Sequence, residues 1–195
     1  VLIWKRFEQT KRPKAELTQT ERFKNDVLPG HDGAILTLSN GTKVTLDTLG
    51  ADISFYDGKA RIIKQNGKIS YQGQAGDHQY NTITTPVGRQ WKLVLPDGTK
   101  VWLNAASSIR YPLAFNTDKR MVIMTGEVYF EVKHNAKQPF LVTVNGQVIE
   151  DIGTAFDVKA YDDEKQVKTT LVEGRVKISS GPTPPLGRAS CRERV

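Results

Sequence analysis

The chain has 195 residues, with 28 Lys/Arg against 21 Asp/Glu for a net charge of +7, and a single cysteine. That length fits one domain with flanking arms, and 38% apolar with 25% charged residues is a folded, soluble composition that excludes global disorder. One cysteine and three histidines exclude an internal disulfide and a cysteine-rich zinc site, and no run approaches the roughly 20 apolar residues of a membrane span.

The positive charge is concentrated in the arms. Residues 1–26 hold seven basic and four acidic side chains, residues 181–195 hold three and one, and the 154 residues between hold 18 and 16. A near-balanced middle without a basic, aromatic-laced stripe argues against nucleic acid as a partner.

Residues 1–28 read as an arm. Val1–Trp4 is apolar and precedes a basic cluster, so it fits either the end of a membrane helix or a first strand. Residues 14–28 space Ala15, Leu17, Phe23 and Val27 for a short amphipathic helix, with an unstructured lead-in as the alternative. From Gly33 to Ser180 the apolar period is two, in about fourteen short runs separated by turn signals. The clearest turns are Asn40-Gly41, Asp57-Gly58, Asn66-Gly67, Asp97-Gly98 and Asn145-Gly146, pairs suited to positive φ. Residues 36–46 (LTLSNGTKVTL) echo residues 93–103 (LVLPDGTKVWL) at seven of eleven positions, and in each the first, third and last leucine is expected to face a core. Leu141 and Thr143 are expected opposite the core side of Phe140, Val142 and Val144, and Val167, Thr169, Leu171, Val176 and Ile178 continue the pattern. Residues 181–195 place three prolines within four positions, so no strand continues there, and the last ten residues, including Cys191, resemble a vector-encoded tail. The expected fold is an all-β, multi-stranded antiparallel sandwich, jelly-roll-like, with solenoid-like stretches, in three parts: arm 1–28, β-domain 29–180, tail 181–195.

Catalytic patterns are sparse. His31, His78 and His134 lack HExxH or HxH spacing, and there is no GxSxG, P-loop or GxGxxG. Glu127 and Glu131 lie about 13 Å apart by strand rise, too far for a glycosidase pair unless another strand supplies a partner. Trp91 and Trp102 suit either core packing or a sugar-stacking platform. No catalytic residue, cofactor or metal site is expected.

The turn and strand residues form an ordered set. TPVGRQWKLVLPDGTKVWLNAASSIRYP (85–112) carries Pro96, Asp97, Gly98, Leu103 and Asn104. RMVIMTGEVYFEV (120–132) carries Arg120, Gly126, Glu127 and Phe130, and QPFLV (138–142) carries Pro139 and Phe140. IGTAFDVKAY (152–161) carries Gly153, Thr154 and Phe156, and VKTTLVEGRVKIS (167–179) carries Glu173 and Gly174. On physical grounds these residues shape turns and bends: Pro139 suits the start of a strand, Gly126 and Gly153 suit bends, Gly174 suits a hairpin, and Arg120 suits a carboxylate at a strand end.

In order and spacing this set resembles the FecR family of anti-sigma regulators, in its Bacteroidetes-type form, and PGHDGAILTLSNGTKVTLD (29–47) resembles that family's upstream segment. The resemblance implies the periplasmic portion of a single-span inner-membrane protein that relays a signal without catalysis. Its implied partners are the signalling domain of a TonB-dependent outer-membrane transducer, contacted through a further C-terminal domain, and an extracytoplasmic-function sigma factor, contacted through a cytoplasmic segment. The membrane is met only through an N-terminal helix whose exit Val1–Trp4 resembles. The alternative function is a carbohydrate-binding β-sandwich module.

Overall fold

The computed structural model describes residues 31–47, 53–58, 60–65, 68–72 and 79–180. The arm 1–28, the Asn66-Gly67 turn, His78 and the tail 181–195 lie outside the described residues. Among the described residues there are fifteen strands and no helix. They are β1 (His31–Thr37), β2 (Lys43–Asp47), β3 (Ile53–Asp57), β4 (Ala60–Gln65) and β5 (Lys68–Gln72). Next come β6 (Tyr80–Thr84), β7 (Arg89–Val94), β8 (Lys100–Leu103), β9 (Ser108–Pro112) and β10 (Arg120–Glu131). The last five are β11 (Phe140–Val144), β12 (Gln147–Asp151), β13 (Ala155–Ala160), β14 (Lys168–Glu173) and β15 (Val176–Ser180).

Twelve of these strands form a continuous ladder that folds into two layers sharing β10. The first half of β10 pairs with β9 and β11, and the second half pairs with β8 and β13. One layer runs β2-β1-β6-β9-β10-β11-β12-β15, and the other runs β7-β8-β10-β13-β14. A parallel contact between the start of β1 and β7 joins the layers a second time. β3, β4 and β5 form a separate three-stranded sheet whose Ile62 and Ile69 enter the same core.

The switch between layers is made at Gly126. Its φ is +78°, and a Cβ there would meet the Ser107 Cα at 2.7 Å and the Ala106 carbonyl oxygen at 2.8 Å. Only glycine lets the strand bend against that backbone. Through the bend the alternation persists: Val122, Met124, Val128 and Phe130 all point inward. The Phe130 ring meets Phe140 of the other layer at 5.9 Å and stacks on Phe156 at 5.2 Å.

The expected all-β class is present, with corrections in detail. The sheet is not purely antiparallel, because β10 and β11 run parallel. Parallel neighbours need a crossover, and here the second half of β10 plus residues 132–139 supplies it through the opposite layer. Gly174 does not make a hairpin: β14 pairs with β13 and β15 with β12, so the chain changes layer there. Leu171 and Ile178, expected to continue a core face, are exposed at 44% and 51% because β14 and β15 are the outermost strands of their layers. Leu141 and Thr143, expected opposite the core, are buried, so β11 is covered on both faces.

The sequence echo is structural. In both hairpins a leucine N–H donates to a threonine carbonyl, Leu38 to Thr42 at 2.9 Å and Leu95 to Thr99 at 2.8 Å. Gly41 and Gly98 take φ of +85° and +90°. All six leucines, Leu36, Leu38, Leu46, Leu93, Leu95 and Leu103, are buried as expected.

These two kinds of glycine predict different mutational costs. Gly41→Ala meets nothing within 4 Å and is expected to cost about 1 kcal/mol for the positive φ alone. Gly126→Ala adds a backbone collision and is expected to cost about 3 kcal/mol or more. Urea titration of the two variants checks the ordering.

Candidate functional site

The expected signature residues gather at three places. The first is a lock around Arg120. Its guanidinium is 1% exposed and crosses from the start of β10 to the turn between β7 and β8. Nη1 donates to Asp97 Oδ2 at 2.7 Å and to the Lys133 carbonyl at 2.8 Å, and Nε donates to the Gln138 carbonyl at 2.8 Å. The guanidinium carbon lies 5.4 Å from the centre of the Phe140 ring. The Arg120 backbone N–H donates to the Pro139 carbonyl at 2.9 Å, so Pro139 precedes β11 as an acceptor. Asp97 also accepts from the Thr99 N–H at 3.0 Å and hydroxyl at 2.7 Å. Pro96 and Gly98 complete the turn that presents it.

The second cluster surrounds Gly126. Asn104 donates its N–H to the Glu127 carbonyl at 3.0 Å, and its side chain accepts from the Ala105 N–H at 2.8 Å. The Ser107 hydroxyl oxygen accepts from the Glu127 N–H at 2.9 Å, and Thr85 Oγ1 donates to the Asn104 carbonyl at 2.5 Å. Leu103 is buried beside them.

The third cluster joins the turn after β12 to that after β14. Asp151 accepts from Thr154 through both the hydroxyl, at 2.5 Å, and the N–H, at 3.2 Å. A Cβ on Gly153 would meet the His134 Cα at 2.7 Å, and one on Gly174 would meet the Thr154 methyl at 2.2 Å. Phe130, Phe140 and Phe156 form the aromatic contacts beneath. Glu173 stands apart, exposed on the outer strand β14.

Sequence reading missed Thr85, Thr99, Ser107 and Asp151, all buried and all holding a turn through side-chain to backbone hydrogen bonds. Each lies within or beside a signature stretch, so their small polar character at a turn was the available signal.

Two clefts frame these clusters. The larger, of about 440 Å³, is lined by Asp97, Arg120, Lys133, His134, Asn135 and Tyr71, among others. Behind it the Tyr71 and Tyr111 hydroxyls hydrogen-bond one another, with the fully buried Asn81 nearby. Burial pushes both phenols far above the ordinary tyrosine range, and for Tyr111 the neighbouring Tyr71 adds to the effect.

The second cleft, of about 250 Å³, lies on the outer face of one layer. Trp102 and Tyr129 pair there at 5.3 Å, and Lys92 lies over the Trp102 ring at 4.5 Å. Burial, then the charge of Glu127, raises the Asp157 carboxyl above its usual range, with Lys159 opposing. The flat two-tryptophan platform of the carbohydrate alternative is not formed: Trp91 is in the core, and Lys92 covers a face of Trp102. Glu127 and Asp157 do come together from neighbouring strands, but side by side on one sheet. A glycosidase sets its carboxylates on either side of the scissile bond, and every residue lining this cleft belongs to β7, β8, β10, β13 or the residue after β8. Among the described residues no three metal-ligating side chains converge, and no helix is long and apolar enough to cross a membrane.

The comparisons with known proteins bear on these clusters directly. The model of the family described as FecR protein matches residues 81–177. Residues 81–177 belong to the FecR family. That FecR segment holds all sixteen signature residues named above. Two crystal structures of a "putative anti-sigma factor" from Parabacteroides distasonis ATCC 8503 are similar to the chain. One is 27% identical over 53% of this chain and 61% of that one, with a TM-score of 0.44, and the other is 28% identical over 52% and 60%, with a TM-score of 0.43. The chain thus spans about three fifths of the length of those proteins. No curated protein matches the sequence.

The phenol pair predicts alkaline sensitivity. An unfolded tyrosine ionises near pH 10, whereas Tyr71 and Tyr111 in the fold resist ionisation. Their contribution is therefore complete below about pH 10 and is lost as pH rises above it. The urea midpoint is expected to fall between pH 9 and 11, and Tyr111→Phe is expected to flatten that fall. An equal fall in the variant would contradict the assignment.

Proposed function

We propose that this chain is the signal-relaying β-domain of a FecR-type anti-sigma regulator. In this reading it lies in the periplasm and works without catalysis. It couples a substrate-loaded TonB-dependent transducer in the outer membrane to release of an extracytoplasmic-function sigma factor inside the cell. The sigma factor would be met by a cytoplasmic segment beyond an N-terminal membrane helix, and the transducer by a further C-terminal domain.

The match of residues 81–177 to the FecR family carries the reading. The use of its signature residues supports it. Arg120, Asp97, Asn104, Gly126, Gly153, Thr154 and Gly174 hold turns and cross between layers, which makes a stiff body from a chain of short strands. A stiff body transmits a docking event as a shift between two arrangements of what is attached to it, and the size of the shift is set by the partner's preference for one arrangement.

The direct test is transcriptional. Deleting residues 81–177 in frame from the gene in its native cell is expected to change transcription from the cognate sigma-dependent promoter by at least several-fold and to abolish its response to the transducer's substrate. Unchanged basal and induced transcription, with the truncated protein present at normal level, would overturn the relay.

A further inference from the structure

The cleft beside Arg120 has an uneven supply of hydrogen-bonding groups. Among the described residues Asp97 is the one carboxylate lining it, and its oxygens are already engaged by the Thr99 N–H, the Thr99 hydroxyl and Arg120 Nη1. The donors are less occupied. Arg120 Nη2 is buried with no hydrogen-bond partner among the described residues. Lys133 is exposed on the rim and makes no ion pair among them. Asn135 uses its side-chain oxygen to accept from the Lys137 N–H, and no bond engages its amide N–H groups among the described residues.

An unmatched N–H on a buried guanidinium is costly, because the group has given up water and gained no acceptor. The Phe140 ring meets the charge of Arg120 with its centre 5.4 Å from the guanidinium carbon. Among the described residues around the cleft, two cations face one anion, a formal balance of +1. A binding group with two acceptor oxygens and a single negative charge fits both the donors and the balance. A phosphate dianion would place a second negative charge beside Asp97. The volume of about 440 Å³ exceeds the needs of a lone ion and falls in the roughly 300–1,000 Å³ range of small-ligand sites.

We propose that this cleft binds a carboxylate, with Arg120 and Lys133 supplying the charge and Asn135 a further donor. The carboxylate belongs either to a small free acid or to an acidic side chain of a peptide, and the chemistry of recognition is the same. The assignment does not rest on the relay reading.

The test is a ¹⁵N NMR titration of the full 195-residue chain at fixed ionic strength. The probes are acetate and a capped Gly-Glu-Gly peptide, with chloride and phosphate as controls. Saturable shifts of the Arg120 Nε–H signal and of the Lys133 and Asn135 amides are expected with the two carboxylates. Tighter binding of the peptide would assign the source to a protein segment, and tighter binding of acetate to a free acid. Lys133→Ala is expected to weaken binding about tenfold, the loss of one charge-assisted hydrogen bond. Arg120 variants risk the fold, so Lys133→Ala and Asn135→Ala carry the test, with far-UV circular dichroism confirming that both are folded. Shifts that fail to saturate, that chloride or phosphate reproduces at equal concentration, or that survive unchanged in Lys133→Ala would overturn the proposal.

Discussion

A buried arginine is an unusual thing to build a β-domain around. Its charge is expensive to remove from water and is tolerated only where the surrounding groups compensate for most of that cost. Arg120 finds that compensation in three different segments: the Asp97 carboxylate in the turn between β7 and β8, the Lys133 carbonyl just after β10, and the Gln138 carbonyl just before β11. Because the arginine starts β10 in one layer and Asp97 belongs to the other, the interaction ties the layers at one end. The loop from 132 to 139 must close back onto the same point, and Gln138 extends the tie by donating to the Phe115 carbonyl at 3.0 Å.

Much of the remaining path follows from that tie. With its start pinned, β10 must leave its own layer to let β11 return beside it in parallel, and Gly126 provides the bend. The ring β10-β9-β6-β1-β7-β8 then closes through β10 at one side and the short β1–β7 contact at the other. Beyond β10 the two layers extend outward through β11, β12 and β15 and through β13 and β14, and there they stay open. Four of the six large exposed apolar residues, Ile152, Leu171, Val172 and Ile178, fall in this last part of the described chain.

Much of this was legible in the sequence, and the limits have physical causes. Period-two alternation marked the strands because one face of each is buried, and Gly41, Gly58, Gly98, Asn145 and Gly146 take the positive φ their turn pairs implied. The inward leucines of the two echoing hairpins were readable for the same reason. Arg120 was readable as a partner for a carboxylate, but not for Asp97, since 23 positions separate them and only the fold brings them together. Periodicity also cannot say which strand ends a sheet. Leu171 and Ile178 alternate like core residues, yet β14 and β15 have no outer neighbour among the described residues. The layer change at Gly174 was hidden because a glycine between two strands looks the same in a hairpin and in a crossing. The cleft beside Arg120 left no linear motif, because its walls come from β5, the β7–β8 turn, the start of β10 and two loops.

The claim that one buried ion pair organises the domain is tested most directly by a double-mutant cycle on Arg120 and Asp97, read by urea unfolding. Arg120→Met and Asp97→Asn each strand a group that the other served, and breaking a buried pair costs about 3–5 kcal/mol. The account predicts that the double variant is no less stable than Arg120→Met alone, a coupling of about 2 kcal/mol or more between the two positions. Single variants that each lose less than about 0.5 kcal/mol, with effects that simply add, would contradict it.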